Sequence, residues 1–246
     1  MHIAIAAEKI YEVGPIAITN TMLVTWIVIA FLSILAYFTT RRYTEIPNKL
    51  QNFFEMIIEA ILGLIDNVTM DRKKAEGFLP LVATLFLFII TANWMGLIPG
   101  FESIGRFEYL HGEKIMVPFF RPPGSDLNTT IALAVVTIAI VQIVGLKSLG
   151  IKYLKKFFNF ANPIAFFVGI IEIVSEISRI ISFSFRLFGN VFAGGVLLAV
   201  IAFFIPFIAS IPFYALEIFV GFVQALVFAM LAAVFLQMAT IGHDEH

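Results

Sequence analysis

Residues Pro163 to Ile205 read PIAFFVGIIEIVSEISRIISFSFRLFGNVFAGGVLLAVIAFFI. As one helix this stretch would be roughly 64 Å long at about 1.5 Å per residue, about twice the hydrocarbon thickness of a bilayer. It must either tilt steeply or break, and Gly189 and the pair Gly194-Gly195 are where a break is expected. Its polar residues are Glu172, Ser175, Glu176, Ser178, Arg179, Ser182, Ser184, Arg186 and Asn190. At about 100° per residue, all but Ser178 and Ser184 fall within roughly a third of the helix circumference. A single polar stripe therefore runs down an otherwise apolar helix. Charges at membrane depth are costly and normally face a partner or a water-filled path. The plain structural alternative is that Arg179 pairs with Glu176 or Glu172 and that Arg186 snorkels; a one-sided row of this length argues against it.

Outward from this stretch the chain has the same character. Of its 246 residues 60% are hydrophobic and 13% charged, and the mean hydropathy is +0.97, more apolar surface than a water-soluble core could hide. The net charge of −1 gives no basic footprint, so nucleic acid is not expected as a partner. The absence of cysteine excludes disulfides and thiolate chemistry. The segment Met1 to Gly14 carries Glu8 and Glu12 and lacks the basic start and cleavage site of a signal peptide, so the first apolar run is expected to stay in the mature protein.

Because about 20 apolar residues span a bilayer as a helix, five membrane regions are predicted. They are Ile16–Phe38, Leu79–Pro99, Thr129–Leu146, Pro163–Ile205 and Ile211–Ile241. Asn48–Val68 places apolar residues at helical spacing with Glu55, Glu59 and Asp66 between them, a pattern that suits a helix lying in the interface. Gly100–Ser125, mixed in charge and rich in Gly and Pro, reads as an aqueous loop. The expected fold is an all-α polytopic membrane protein of one domain, its last two helices long and tilted as a hairpin. Arg41, Arg42, Lys49, Arg72, Lys73 and Lys74 flank the interfacial helix, and Lys147, Lys152, Lys155 and Lys156 follow the third span. Both connections are expected to be cytoplasmic, with the N-terminus outside and Gly242–His246 inside.

The last region repeats the polar theme. Glu217 and Gln224 share one face about 10 Å apart along the axis, with Gly221 between them. Glu217 could serve a water path or simply neutralise Arg186 or Arg179. Asn93 and Gln142 read as interhelical hydrogen-bond formers, and Asp126, followed by Asn128 and Thr129, as a helix N-cap. His2, His243 and His246 are terminal and His111 sits in the loop, so no metal site is expected. No phosphate-binding loop and no nucleophile elbow occurs, and neither a cofactor nor catalysis by this chain alone is expected.

The run SFSFRLFGNVFAGG at Ser182–Gly195 closely resembles the signature of the F-type ATP synthase subunit a family. Asn93 to Pro99, Pro123 to Thr130 and the segment from Gln224 resemble other parts of that family, so the likeness covers nearly the whole chain. By that resemblance Arg186 is the stator arginine facing a ring of c subunits, with Asn190 and Gln224 as its polar neighbours. Glu172 and Ser182 then belong to cytoplasmic access, and Asp126 with Asn128 to an outer vestibule; Glu176, on the same stripe, is expected on the exit route beside Glu172. Some members carry His and Glu where this chain has Glu217 and Gly195; Glu217 is then the relay group of the outer path. The resemblance also implies peripheral-stalk b subunits, the rest of the F1Fo complex and the lipid bilayer as partners, in a bacterial plasma membrane. The rival reading is an ion-coupled secondary transporter with the stripe lining a substrate site, but such proteins usually have internal repeats and more spans. A pure scaffold leaves the charged row unexplained.

Overall fold

The computed structural model describes residues 7–13, 16–41, 49–110, 113–157, 162–205 and 210–241. Arg42, Asn48 and the four histidines lie outside the described residues, as does the C-terminal segment 242–246.

The chain begins with an antiparallel pair, β1 (Lys9–Val13) and β2 (Ile16–Thr19), followed by helix α1 (Asn20–Thr40). Next come α2 (Lys49–Thr69) and α3 (Arg72–Gly96). A second antiparallel pair, β3 (Gly105–Leu110) and β4 (Glu113–Pro118), sits between two short 3-10 turns at Phe101–Ser103 and Pro123–Ser125. Then follow α4 (Leu127–Leu149), the single turn α5 (Ile151–Leu154), α6 (Pro163–Phe204) and α7 (Ser210–Thr240).

Among the described residues five helices, α1, α3, α4, α6 and α7, are long and apolar enough to cross a membrane. Helix α2 is as long as α1 but carries Lys49, Glu55, Glu59 and Asp66 and is not among them. The first span starts four residues later than expected, because 16–19 pair as a strand and Thr19 caps α1 by accepting from the Met22 amide at 3.3 Å. The expected aqueous loop contains the β3–β4 hairpin, whose register from Gly105↔Pro118 to Leu110↔Glu113 has no irregularity. Helix α6 is one continuous helix of 42 residues, unbroken at Gly189 and Gly194-Gly195. Its start is Pro163, where the missing amide hydrogen is no loss because the first turn has no intrahelical acceptor for it.

The core is built on α7, whose Ala225, Ala229, Ala232 and Ala233 are at most 1% exposed. Such a stripe of small side chains lets helix backbones approach closely where lipid supplies no hydrophobic drive to associate. Against it pack Val82, Leu85, Phe86 and Ile89 of α3, Ala134 and Val141 of α4, Phe183 and Leu187 of α6, and Ile61, Leu62 and Ile65 of α2. Helices α6 and α7 run antiparallel. Phe183 meets Phe228 edge-on at 4.5 Å, and Gly194 lies against Glu217. Counting from these two contacts sets Gln224 level with Leu187, one residue from Arg186.

Candidate functional site

The N-terminal part of α6 holds a compact ionic cluster. Lys156 Nζ lies 2.6 Å from Glu172 Oε1, and Arg179 Nη1 lies 2.6 Å from Glu176 Oε1. Arg179 Nη2 is 3.9 Å from Glu172 Oε1, and the guanidinium sits over the Phe235 ring at 4.7 Å. Glu176 is 9% exposed and its Oε2 is buried without a hydrogen-bond partner among the described residues. The pairing of Arg179 with Glu176 that belonged to the plain structural alternative is therefore present, at i,i+3 spacing, and Lys156 from outside the spans joins it.

Arg186 stands apart from this cluster. It is exposed on α6, and its hydrogen bond goes to Ser182 Oγ, itself exposed, at 3.4 Å. Among the described residues no carboxylate forms an ion pair with it, so Glu217 does not neutralise it. The surface beside it is bare and apolar: Ile171, Val174, Ile181 and Phe185 are 51–55% exposed. A guanidinium on such a face, halfway along a 42-residue apolar helix, would be costly in hydrocarbon unless a partner or water reached it.

Beyond Arg186, towards the end of α6, a cavity of about 510 Å³ opens between α6, α7 and the segments around the second hairpin. Its polar lining includes Asn190 and Glu217, with Glu8, Asn93, Arg121 and Ser125. Asn190 lies four residues from Arg186, about 6 Å along the helix axis, so the cavity reaches to within about one turn of the arginine. The Glu217 carboxylate is seated directly on Gly194, where a Cβ would overlap it, whereas nothing lies within 4 Å of a Cβ on Gly195. The floor of this pocket is fixed by two long-range bonds: Asn93 Nδ2 donates to the Gly221 carbonyl at 3.2 Å, and Trp94 Nε1 to that of Ile218 at 3.1 Å. Asn93 is thus an interhelical hydrogen-bond former. Gln224 is 9% exposed, level with the arginine, and its Nε2 has no hydrogen-bond partner among the described residues.

Asp126 and Asn128 are not brought to this cavity. Asp126 is 5% exposed and caps α4, its Oδ1 accepting from the Asn128 amide at 3.1 Å. Its Oδ2 accepts from the hydroxyls of Thr21 and Thr129, each at 3.1 Å, which ties α1 to α4. Ser184, outside the stripe, is fully buried and 3.1 Å from Thr130 Oγ1. Gln142 accepts from the Tyr153 hydroxyl at 2.7 Å, across the turn from α4 to α5. Lys156, Tyr153 and Gly194 were not singled out for chemistry by their sequence context. Lys156 counted there only as one of a cluster of topology-setting cations, since nothing in linear spacing ties it to Glu172 across a turn. Among the described residues no three His, Cys, Asp or Glu side chains converge as metal ligands would.

Five described helices long and apolar enough to cross a membrane, one of them carrying a row of charged residues, define a multi-pass membrane protein. The sequence profile of the ATP synthase A chain family matches residues 22–237, and the chain belongs to that family. ATP synthase subunit a of Moorella thermoacetica is 35% identical over 236 residues, covering 96% of this chain and 97% of that protein. That of Geotalea daltonii is 36% identical over 218 residues (87% and 84%), and that of Gloeobacter violaceus 32% over 237 (96% and 90%).

Proposed function

We propose that this chain is the proton-conducting stator subunit of an F-type ATP synthase, in a bacterial plasma membrane, with its N-terminus outside. The observation that carries this reading is the position of Arg186: exposed, unpaired among the described carboxylates, and flanked along α6 by a polar cavity on one side and a half-buried ionic cluster on the other. Two polar regions separated by one fixed positive charge are what two half-channels need. Arginine stays protonated at physiological pH, so Arg186 acts as a field and not as a relay. A carboxylate on a ring of c subunits moving past at about 4 Å gains roughly 4 kcal/mol as the anion at an effective dielectric near 20, which makes it shed its proton. The same charge repels a proton crossing directly between the two regions.

Protons enter through the outer cavity past Glu217 and Asn190, load the ring carboxylate, and travel round as the neutral acid. They leave past Ser182, Glu176 and Glu172. Each charge crossing 100 mV delivers about 2.3 kcal/mol, so several must be gathered for each ATP made, which suits a rotor taking small steps. The bare apolar face of α6 beside Arg186 is the surface that would meet the ring, and the peripheral-stalk b subunits hold the stator in place. Asp126 supports the outer path indirectly, by holding α1 and α4 together at its rim.

The absence of cysteine in this chain makes an accessibility test clean. Ala199→Cys, in the cavity lining, is expected to react with a membrane-impermeant thiol reagent in right-side-out vesicles only, and Ser175→Cys in inverted vesicles only. Reaction of both from the same face would contradict two separate half-channels. A sharper prediction concerns adjacent glycines. Gly194→Ala must displace the Glu217 carboxylate and is expected to lower proton flux at least about tenfold, on the scale by which small misplacements slow a reaction. Gly195→Ala has open space around its new methyl group and should pump normally. Equal rates in the two variants would show that Glu217 does not need its present seat.

A further inference from the structure

The turn from α4 into α6 is built to deliver one cation. Gly150 has φ +62 and ψ −145, a backbone state that side chains disfavour, and it turns the chain back towards α4. Tyr153 is 5% exposed and packs onto Gly145, where a Cβ would come within 2.6 Å of its ring. The Phe157 carbonyl lies against Gly169 of α6, and a side chain there would overlap it. Two small residues on two different helices thus leave room for this turn. Lys156 is carried between Tyr153 and Phe157, with Nζ 5.9 and 5.7 Å from their ring centroids and 2.6 Å from Glu172. Burial first, and the Glu176 carboxylate second, push the Tyr153 phenol up to about 12, so it remains a donor to Gln142 and does not ionise at cellular pH.

Charge counting gives the turn a purpose. Glu172, Glu176 and Arg179 alone carry one net negative charge, and the arginine would have to divide its bonds between two acids. With Lys156 the cluster is neutral: lysine takes Glu172, and the short arginine contact goes to Glu176 Oε1. The second oxygen of Glu176 is buried and takes no hydrogen bond from the described residues.

We propose that Lys156 is a positioning residue for proton exit: by neutralising Glu172 it leaves Arg179 to hold one oxygen of Glu176 and keeps the other, Oε2, as the atom that receives the departing proton. This rests on the exit path given above. Within that path it divides the labour, making Glu176 the acceptor and Glu172 the ballast of Lys156.

The test is ATP-driven proton pumping by the whole complex in inverted membrane vesicles, normalised to membrane-bound ATP hydrolysis. Lys156→Met is expected to pump about tenfold less per assembled complex, the factor that corresponds to about 1.4 kcal/mol of lost charge compensation. Lys156→Arg should stay near the unsubstituted rate. Lys156→Met combined with Glu172→Gln, which restores neutrality, should recover most of the loss, whereas a turn that merely packs would not respond to removal of a charge elsewhere. Unchanged pumping in Lys156→Met, or no recovery in the doubly substituted protein, overturns the proposal. Should Lys156→Met fail to assemble, the doubly substituted protein decides: pumping supports the role, and absence of pumping or of assembly overturns it. Glu176→Gln tests the exit path separately. If it pumps normally, the path itself is wrong whatever Lys156 does; if it is impaired while Lys156→Met is not, only the positioning role fails.

Discussion

Arg186→Ala is expected to abolish both ATP-driven proton pumping and proton-driven ATP synthesis in membranes where the complex still assembles. The expectation follows from the size of the electrostatic effect. A carboxylate about 4 Å from a guanidinium at an effective dielectric near 20 gains roughly 4 kcal/mol, close to a thousandfold preference for the ionised acid. Without it the proposed ring carboxylate would remain protonated as it passes and would carry its proton back into the lipid. Arg186→Lys keeps the charge but replaces a planar fork by a compact, more strongly hydrated ammonium, so partial function at most is expected. The loss should include the barrier as well as the motor: passive proton leak should rise when the repelling charge is gone. Coupled pumping that survives Arg186→Ala would refute the assigned role.

Glu217→Gln should slow proton entry about tenfold to a hundredfold at neutral pH. Glutamine fills the same seat on Gly194 and keeps hydrogen-bonding capacity, but it cannot release a proton, and positioned acid-base groups typically contribute factors of that order or more. Water in the roughly 510 Å³ cavity can carry protons up to the side chain, so the loss falls at the last transfer and not along the whole path. Dye-monitored flux through vesicles stripped of the soluble sector isolates this step from ATP hydrolysis. Unchanged flux would remove Glu217 from the relay and leave Asn190 and water to do its work.

Much of this arrangement was legible in the linear sequence, because a bilayer imposes simple rules. A helix must satisfy its own backbone, so the five apolar runs had to be helices, and their observed ends differ from expectation mainly where caps such as Thr19 set them. The stripe from Glu172 to Asn190 was readable because a charge in an apolar context is costly and because helical periodicity is strict. The cap at Asp126 was readable from local spacing as well. What could not be read depends on contacts between distant segments. The β3–β4 hairpin is held by strand pairing within a segment whose Gly, Pro and mixed charges suggest only a loop. Helix α6 runs unbroken through Gly189, Gly194 and Gly195, and Gly194 is where the Glu217 side chain meets the helix surface, so a residue that reads as a weak point is a docking place. Lys156 and Glu172 are sixteen residues apart across a turn, and only the fold brings them to 2.6 Å.

Asp126 and Asn128 resemble vestibule residues, yet Asp126 has both oxygens occupied by hydrogen bonds that cap α4 and tie it to α1, and neither lines the cavity. Glu8 and Arg121, reached from the N-terminal segment and the end of the hairpin, line it instead. The cavity is therefore lined partly by parts of the chain that hydropathy passes over.

The most direct measurement is a density map of the assembled complex at a resolution that defines side chains around Arg186. The guanidinium should point out of its own helix bundle, across the bare face of α6, to within one water molecule of an acidic side chain on a rotor helix. A guanidinium facing lipid, folded back onto Glu217, or sitting where no rotor passes would contradict the proposed function.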